Sequence, residues 1–214
     1  MISFKLFCDQ IKTRLEKRLP GDAARSKMSP SLRVPLNGAW EFDQPPIESA
    51  VCLLLYPSKN KIYFPLIKRA GGEHSHGGQI SLPGGKYEKE DNDILITAIR
   101  ETFEEIGVKL TRDNIIGKLS PLYVPVSNYM ITPYVAFVDE AKQYDISKYE
   151  VQFMLDAELS TFFSDSNKYE KILHRGEIEV CAPYYAIEGE MVWGATAMIL
   201  SEFEALCGDL LNKL

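Results

Sequence analysis

The chain has no apolar run long enough to cross a bilayer, no closely spaced pair of cysteines and no surplus of basic residues. Each absence removes a class of function. Four cysteines (Cys8, Cys52, Cys181, Cys207) lie far apart, and three histidines are too few to complete a zinc site with them by spacing, so the thiols read as reduced and mostly interior. Lys plus Arg number 24 against 30 Asp plus Glu, a formal net charge of -6, which argues against a nucleic-acid binder held by a basic surface. An anionic ligand would need a local cationic cluster. The start, MISFKLFCDQIKTRLEKRL, spaces Phe4, Phe7, Ile11 and Leu15 as a helix does, among charges, unlike the unbroken apolar core of a signal peptide. The final Asn-Lys-Leu reads as a chance likeness to a peroxisomal address. Together these features give a cytoplasmic protein, with no membrane and no nucleic acid as partner.

What is present suffices for a sizeable core: 214 residues, 45% of them hydrophobic. After the amphipathic N-terminal helix, the stretch from Pro20 to Pro46 carries Gly21, Pro30, Pro35 and the Pro45-Pro46 pair and reads as a loop-rich connection. The division is therefore an extension over 1–48 and a compact domain over 49–214. AVCLLLY and IYFPLIKR, separated by Ser58-Lys59-Asn60, predict two strands joined by a short turn, and QISL predicts a third ending at Pro83-Gly84-Gly85. Further strand-like runs are PLYVPV, ITPYVAFV, EVQFML, EIEVCAPYYAI and MVWG, followed by a helical pattern through the last twenty residues despite Gly208. The predicted class is α+β, a mixed sheet sandwiched between helices with an N-terminal helical extension.

One helix breaks local rules. Asp93 is its N-cap, Gly107 its left-handed stop, and Leu95, Ile99, Phe103 and Ile106 form its apolar side. Glu101, Glu104 and Glu105 gather on the other side. Like charges three and four residues apart each cost about 0.2–0.5 kcal/mol, and the helix C-terminus disfavours anions by a further 0.3–1 kcal/mol or so. A solvated face would tolerate that. Alternatively, adjacent Arg100 can brace a carboxylate, and carbonyls of the upstream Pro-Gly-Gly turn can join the glutamates around a hard divalent cation.

The stretch GGKYEKEDNDILITAIRETFEEIGV resembles the Nudix box, G-x5-E-x7-R-E-U-x-E-E-x-G-U with U bulky and apolar. Arg100, Glu101, Glu104, Glu105, Gly107 and Val108 match, and Thr102 replaces the first U. Counting forward from Gly85 reaches Asp91, whereas counting back from Arg100 reaches Asn92, so the loop is one residue longer than the general pattern. That lengthened loop, PGGKYEKED, is similar to the coenzyme A pyrophosphatase branch of Nudix hydrolases. The upstream LIKRAGGEHSHGGQISLPGG resembles the same branch through Leu66, Arg69, Ala70, His76, Gly78, Gln79 and the Pro83-Gly84-Gly85 turn, with His74 for the usual arginine and Leu82 for the usual phenylalanine.

The resemblance implies a Nudix fold and a hydrolase that uses Mg2+ or Mn2+ to split a diphosphate by attack of water on phosphorus. It implies Glu101, Glu104, Glu105 and the Gly84 carbonyl as metal ligands, Arg100 as their orienting partner, Glu105 or Glu101 as base, and Glu150 as an outlying candidate for that role. Its expected substrate is the small molecule CoA or acyl-CoA, split into 3′,5′-ADP and 4′-phosphopantetheine or its acyl form. ADP-ribose, a dinucleotide, or ligand binding without catalysis stay open. For the 3′-phosphate of CoA, Arg69, Lys68, His74 and His76 supply the local cations. A histidine at 74 predicts phosphate binding that strengthens below about pH 6.5. The N-terminal helix packs either on its own domain or against a second subunit of a homodimer.

Overall fold

The computed structural model describes residues 2–32, 42–71, 77–140, 143–175 and 178–214. In chain order the first half holds helices α1 (Phe4–Leu15) and α2 (Asp22–Arg25), strands β1 (Ser31–Leu32), β2 (Ile47–Ser58), β3 (Lys61–Arg69), β4 (Ile80–Ser81) and β5 (Gly84–Lys86), and helix α3 (Ile94–Ile106). The second half holds β6 (Ile115–Lys118), β7 (Leu122–Val124), β8 (Tyr129–Phe137), β9 (Val151–Glu158), α4 (Leu159–Phe162), β10 (Lys168–Arg175), β11 (Ile178–Ile187), β12 (Glu190–Trp193) and α5 (Gly194–Cys207).

The apolar run AVCLLLY lies in β2, the axis of a mixed sheet. It is buried on both faces: Leu53 and Leu55 enter one core cluster, while Ala50, Cys52, Leu54 and Tyr56 enter another, as the two-residue period of a strand requires. β2 runs parallel to β8 and antiparallel to its other partners. Its beginning pairs with β5 (Ser49–Val51 against Lys86–Gly84), and its end forms a hairpin with β3. Lys59 and Asn60, with φ of 48° and 62°, make the two-residue turn whose left-handed geometry suits the strand twist. β3 carries β4 and β9, and β8 carries β6 and β7. A second sheet has β11 at its centre with β1, β10 and β12.

Helix α3 covers the Ala50–Tyr56 side of the first sheet, and α1 and α5 belong to the cluster on the other. The structure is thus the expected α+β arrangement, with two sheets where the sequence indicated one. β10 was not foreseen because half of KYEKILHR is charged; its pairing with β11 over Lys168–Arg175 supplies the strand state that its own pattern does not.

The N-terminal segment is tied into this core. Phe7, Cys8, Ile11 and Leu15 are buried with Leu53 and Leu55, so α1 packs on its own chain, and Leu15 lies so close to Gly117 that a Cβ there would approach it to 2.8 Å. Within the presumed loop 20–46, the chain forms α2 and β1. The C-terminal helix stops at Gly208, with φ of +50°, instead of running to the end. Arg14 Nη1 donates to the exposed carbonyls of Leu206 (2.9 Å) and Cys207 (2.6 Å), which supplies those helix-terminal acceptors with partners. The thiols of Cys8, Cys52 and Cys207 are free and buried. No helix among the described residues is long and apolar enough to cross a membrane.

Candidate active site

Both ends of α3 behave as the sequence indicates. Asp93 accepts the N–H of Leu95 at 3.1 Å, and Gly107, at φ 74°, returns its N–H to the Phe103 carbonyl at 2.8 Å. The packed face differs. Thr97, Ala98, Thr102, Glu105 and Ile106 are buried, while Phe103 is 46% exposed with the Lys109 ammonium 5.5 Å from its ring centre. The helix lies against β2 and the glycines of β5, so small side chains must face the sheet. The Thr102 hydroxyl satisfies itself on the Ala98 carbonyl at 2.6 Å.

That rotation turns Glu105 inward. The carboxylate is 1% exposed and meets the Pro-Gly-Gly turn, where Oε2 accepts the Gly84 N–H at 2.7 Å. Only glycine permits this approach, since a Cβ on Gly84 would fall 2.3 Å from the Ala50 carbonyl oxygen, at a φ of +152°. Arg69, at the end of β3, completes the contact: Nη1 donates to Glu105 Oε1 at 3.0 Å and Nη2 to the Gly84 carbonyl. Burial pushes the Glu105 carboxyl up to about 7, opposed by Arg69 and the Gly84 N–H and reinforced by the charges of Glu101 and Glu150. A Cβ on Gly85 would sit 2.4 Å from the carboxyl carbon of Glu101, so the second glycine makes room for the second carboxylate. Burial raises Glu101 as well, against the pull of Arg100.

Arg100 organises the outer half of the cluster. Nη1 donates to Glu101 Oε1 and Glu104 Oε2, both at 2.8 Å, and Nη2 donates to the Lys86 carbonyl at 3.0 Å. Nε and Nη2 grip Asp91 through both of its oxygens, at 2.8 and 3.0 Å. Asp91 is buried, also accepts from the Glu88 N–H and the Thr97 hydroxyl, and is held down to about 2, chiefly by Arg100. The extra loop residue is absorbed just beyond, where Asn92 adopts φ 57°. Sequence counting had reached Asp91 without giving it a role; the available signal was its place in PGGKYEKED.

The remaining candidates separate. Lys68 points its ammonium to Glu190 Oε1 at 2.6 Å and over the Phe153 ring, away from the network of Arg69. Glu150 is exposed, and its carbonyl accepts the Ala70 N–H at 2.7 Å, which places it beside Arg69. His74 and His76 lie outside the described residues. Chemically, three carboxylates and a backbone carbonyl form an all-oxygen donor set of the kind a hard divalent cation takes, and the bare Gly85 lets the Glu101 carboxylate into it. Among the described residues these oxygens stand as arginine partners, not as a converged metal shell.

A desolvated carboxylate pair held by a glycine turn on a mixed sheet defines an α+β domain built to manage concentrated negative charge. The NUDIX domain profile matches residues 46–179, and the chain belongs to that family. The uncharacterized Nudix hydrolase NudL of Yersinia enterocolitica is 29% identical over 135 residues, spanning 63% of this chain and 69% of that one. The protein of the same name from Yersinia pestis is 31% identical over 135 residues, 63% of this chain and 67% of its own. Among solved structures, a MutT/nudix family protein from Enterococcus faecalis shares the fold with a TM-score of 0.58 at 16% identity, covering 98% of this chain and 76% of that one. Nudix hydrolases act on pyrophosphate bonds and generally need divalent ions such as Mg2+ or Mn2+.

Proposed function

We propose that the protein hydrolyses the diphosphate of CoA or acyl-CoA, releasing 3′,5′-ADP and 4′-phosphopantetheine or its acyl form. The observation that carries the hydrolase reading is the burial of Glu105 against Gly84, with Glu101 beside Gly85. Glu101, Glu104, Glu105 and the Gly84 carbonyl would hold the divalent cation, which when bound neutralises phosphate oxygens and makes water a better nucleophile. Arg100, fixed by Asp91, keeps Glu101 and Glu104 aimed at one point. Glu101 and Glu105 are both raised by burial, which makes each a better proton acceptor than an exposed carboxylate. The CoA assignment is supported by Arg69, a partly exposed cation beside Glu105, and by the PGGKYEKED loop that ends in Asp91.

A second reading, hydrolysis of ADP-ribose or a dinucleotide, is favoured by one observation: Lys68, counted on for the 3′-phosphate, is engaged by Glu190. Incubation with CoA, dephospho-CoA, ADP-ribose and a dinucleotide, plus Mg2+ or Mn2+, followed by mass identification of products, decides between them. CoA cleaved in clear preference to dephospho-CoA is the expected result. Comparable turnover of the two removes the 3′-phosphate from recognition and favours the second reading, and no hydrolysis of any of the four favours a ligand-binding domain.

A further inference from the structure

Arg69 spends its hydrogen bonds on the two groups that the proposed function assigns to a cation. Nη1 holds Glu105 Oε1 at 3.0 Å and Nη2 holds the Gly84 carbonyl, while the Gly84 N–H fixes Glu105 Oε2 from the other side. A guanidinium and a divalent cation are both positive and compete for the same lone pairs, most strongly on Glu105, which is 1% exposed.

The backbone of Arg69 is in no position to yield. Its N–H donates to the Gln79 carbonyl at 3.1 Å, its carbonyl accepts from Gly78 at 3.1 Å, and neighbouring Ala70 is bonded to Glu150. A register shift in the β3–β9 pairing falls between Lys68 and Arg69, the kind of irregularity that re-aims a side chain. The side chain itself is 30% exposed. It can leave by rotation about its own bonds, with the strand unmoved. Arg100 is the contrast: Nη1 also reaches Glu101 and Glu104, but Nε and Nη2 anchor it to both oxygens of buried Asp91 and to the Lys86 carbonyl, none of them assigned to a cation.

We propose that Arg69 is a built-in counter-ion to Glu105 and the Gly84 carbonyl, which a divalent cation displaces from both on binding, so that its guanidinium turns to the substrate's phosphates. The inference rests on the reading of Glu105 and Gly84 as cation ligands. It makes the affinity for the ion a competition against Arg69, and it couples ion binding to the release of a guanidinium beside Glu105.

The test is a Mn2+ titration without substrate, following the electron paramagnetic resonance signal of the free ion, for wild type, Arg69→Met, Arg69→Lys and Glu105→Gln. Arg69→Met is expected to bind Mn2+ about tenfold more tightly than wild type, the weight of one charge-assisted hydrogen bond. Arg69→Lys, a point charge unable to fork to both oxygens, falls between the two. Thermal melts supply a second readout: Arg69→Met melts below wild type without Mn2+ and gains more from its addition. Equal or weaker Mn2+ binding by Arg69→Met, in a protein whose wild type binds the ion and whose Glu105→Gln variant does not, overturns the counter-ion while leaving the site reading intact. Wild type that binds no Mn2+, or Glu105→Gln that binds as well as wild type, overturns both. Should Arg69→Met fail to fold, Arg69→Lys decides alone: tighter than wild type supports the competition, equal or weaker refutes it.

Discussion

Two buried carboxylates sit on opposite sides of this protein and meet opposite company. Glu202 of α5 accepts from Arg25 twice through Oε2, at 2.6 and 2.9 Å, and through Oε1 from Gly21 N–H and both donors of Ser120. Arg25 spends its other donors on the Pro121 and Ser120 carbonyls. Both side chains are fully enclosed, and together they fasten the N-terminal segment to α5 and to the loop before β7. Among the described residues Glu105 has one backbone donor and one guanidinium, and that guanidinium is partly open to solvent. A closed shell of donors makes a joint. Glu105 has the more open shell that the proposed site needs, and its burial raises its carboxyl.

The sharpest way to break this contrast is to neutralise each carboxylate in turn. Glu105→Gln should lower diphosphate hydrolysis on the order of 10^3-fold, equivalent to about 4 kcal/mol in the barrier, with an unchanged circular dichroism spectrum. A rate within threefold or so of wild type would take Glu105 out of the chemistry. Glu202→Ala should do the reverse. Stranding the Arg25 charge is expected to cost about 3–5 kcal/mol in urea unfolding, with the rate per folded molecule unchanged.

Asp91 lies between the two types, being buried and well satisfied yet wired to the site through Arg100. Its pKa is depressed from 3.8 to about 2, so its stabilisation is complete above its unfolded value and disappears as pH falls from about 4 to 2. Asp91→Asn should therefore lose about 2 kcal/mol at neutral pH and show a flatter stability curve across that acid window, read by unfolding at a series of pH values. Gly107→Ala should cost roughly 1–2 kcal/mol, because φ of 74° strains an L-residue and the new methyl would meet Asp145 at 2.7 Å. Smallest of all, Phe103→Ser should shift stability by less than about 1 kcal/mol, since the ring lies half outside. A core-sized loss would restore the face that periodicity alone had drawn.

That face shows where reading the sequence stopped working. Periodicity located α3, Asp93 capped it and Gly107 ended it, because those signals are local and act within a turn of the chain. Which side of the helix packs depended on what it packs against. A sheet edge made of Gly84 and Gly85 admits Ala98 and Thr102 and draws Glu105 inward, leaving Phe103 to the surface. Likewise nothing near Arg14, Arg25 or Lys68 in the chain announces Cys207, Glu202 or Glu190 as a partner.

By itself, then, the order of residues determined the α+β class, the strand of AVCLLLY, the limits of α3 and the clustering of Glu101, Glu104 and Glu105 beside Arg100. Each of these follows from side-chain spacing along one strand or one helix. The tertiary structure alone decided that Glu105 is desolvated, that Asp91 locks Arg100 and that Arg69 bonds both Glu105 and the Gly84 carbonyl. Those outcomes depend on how closely distant segments approach, and a charge changes its chemistry according to the donors and the water that such approaches leave around it.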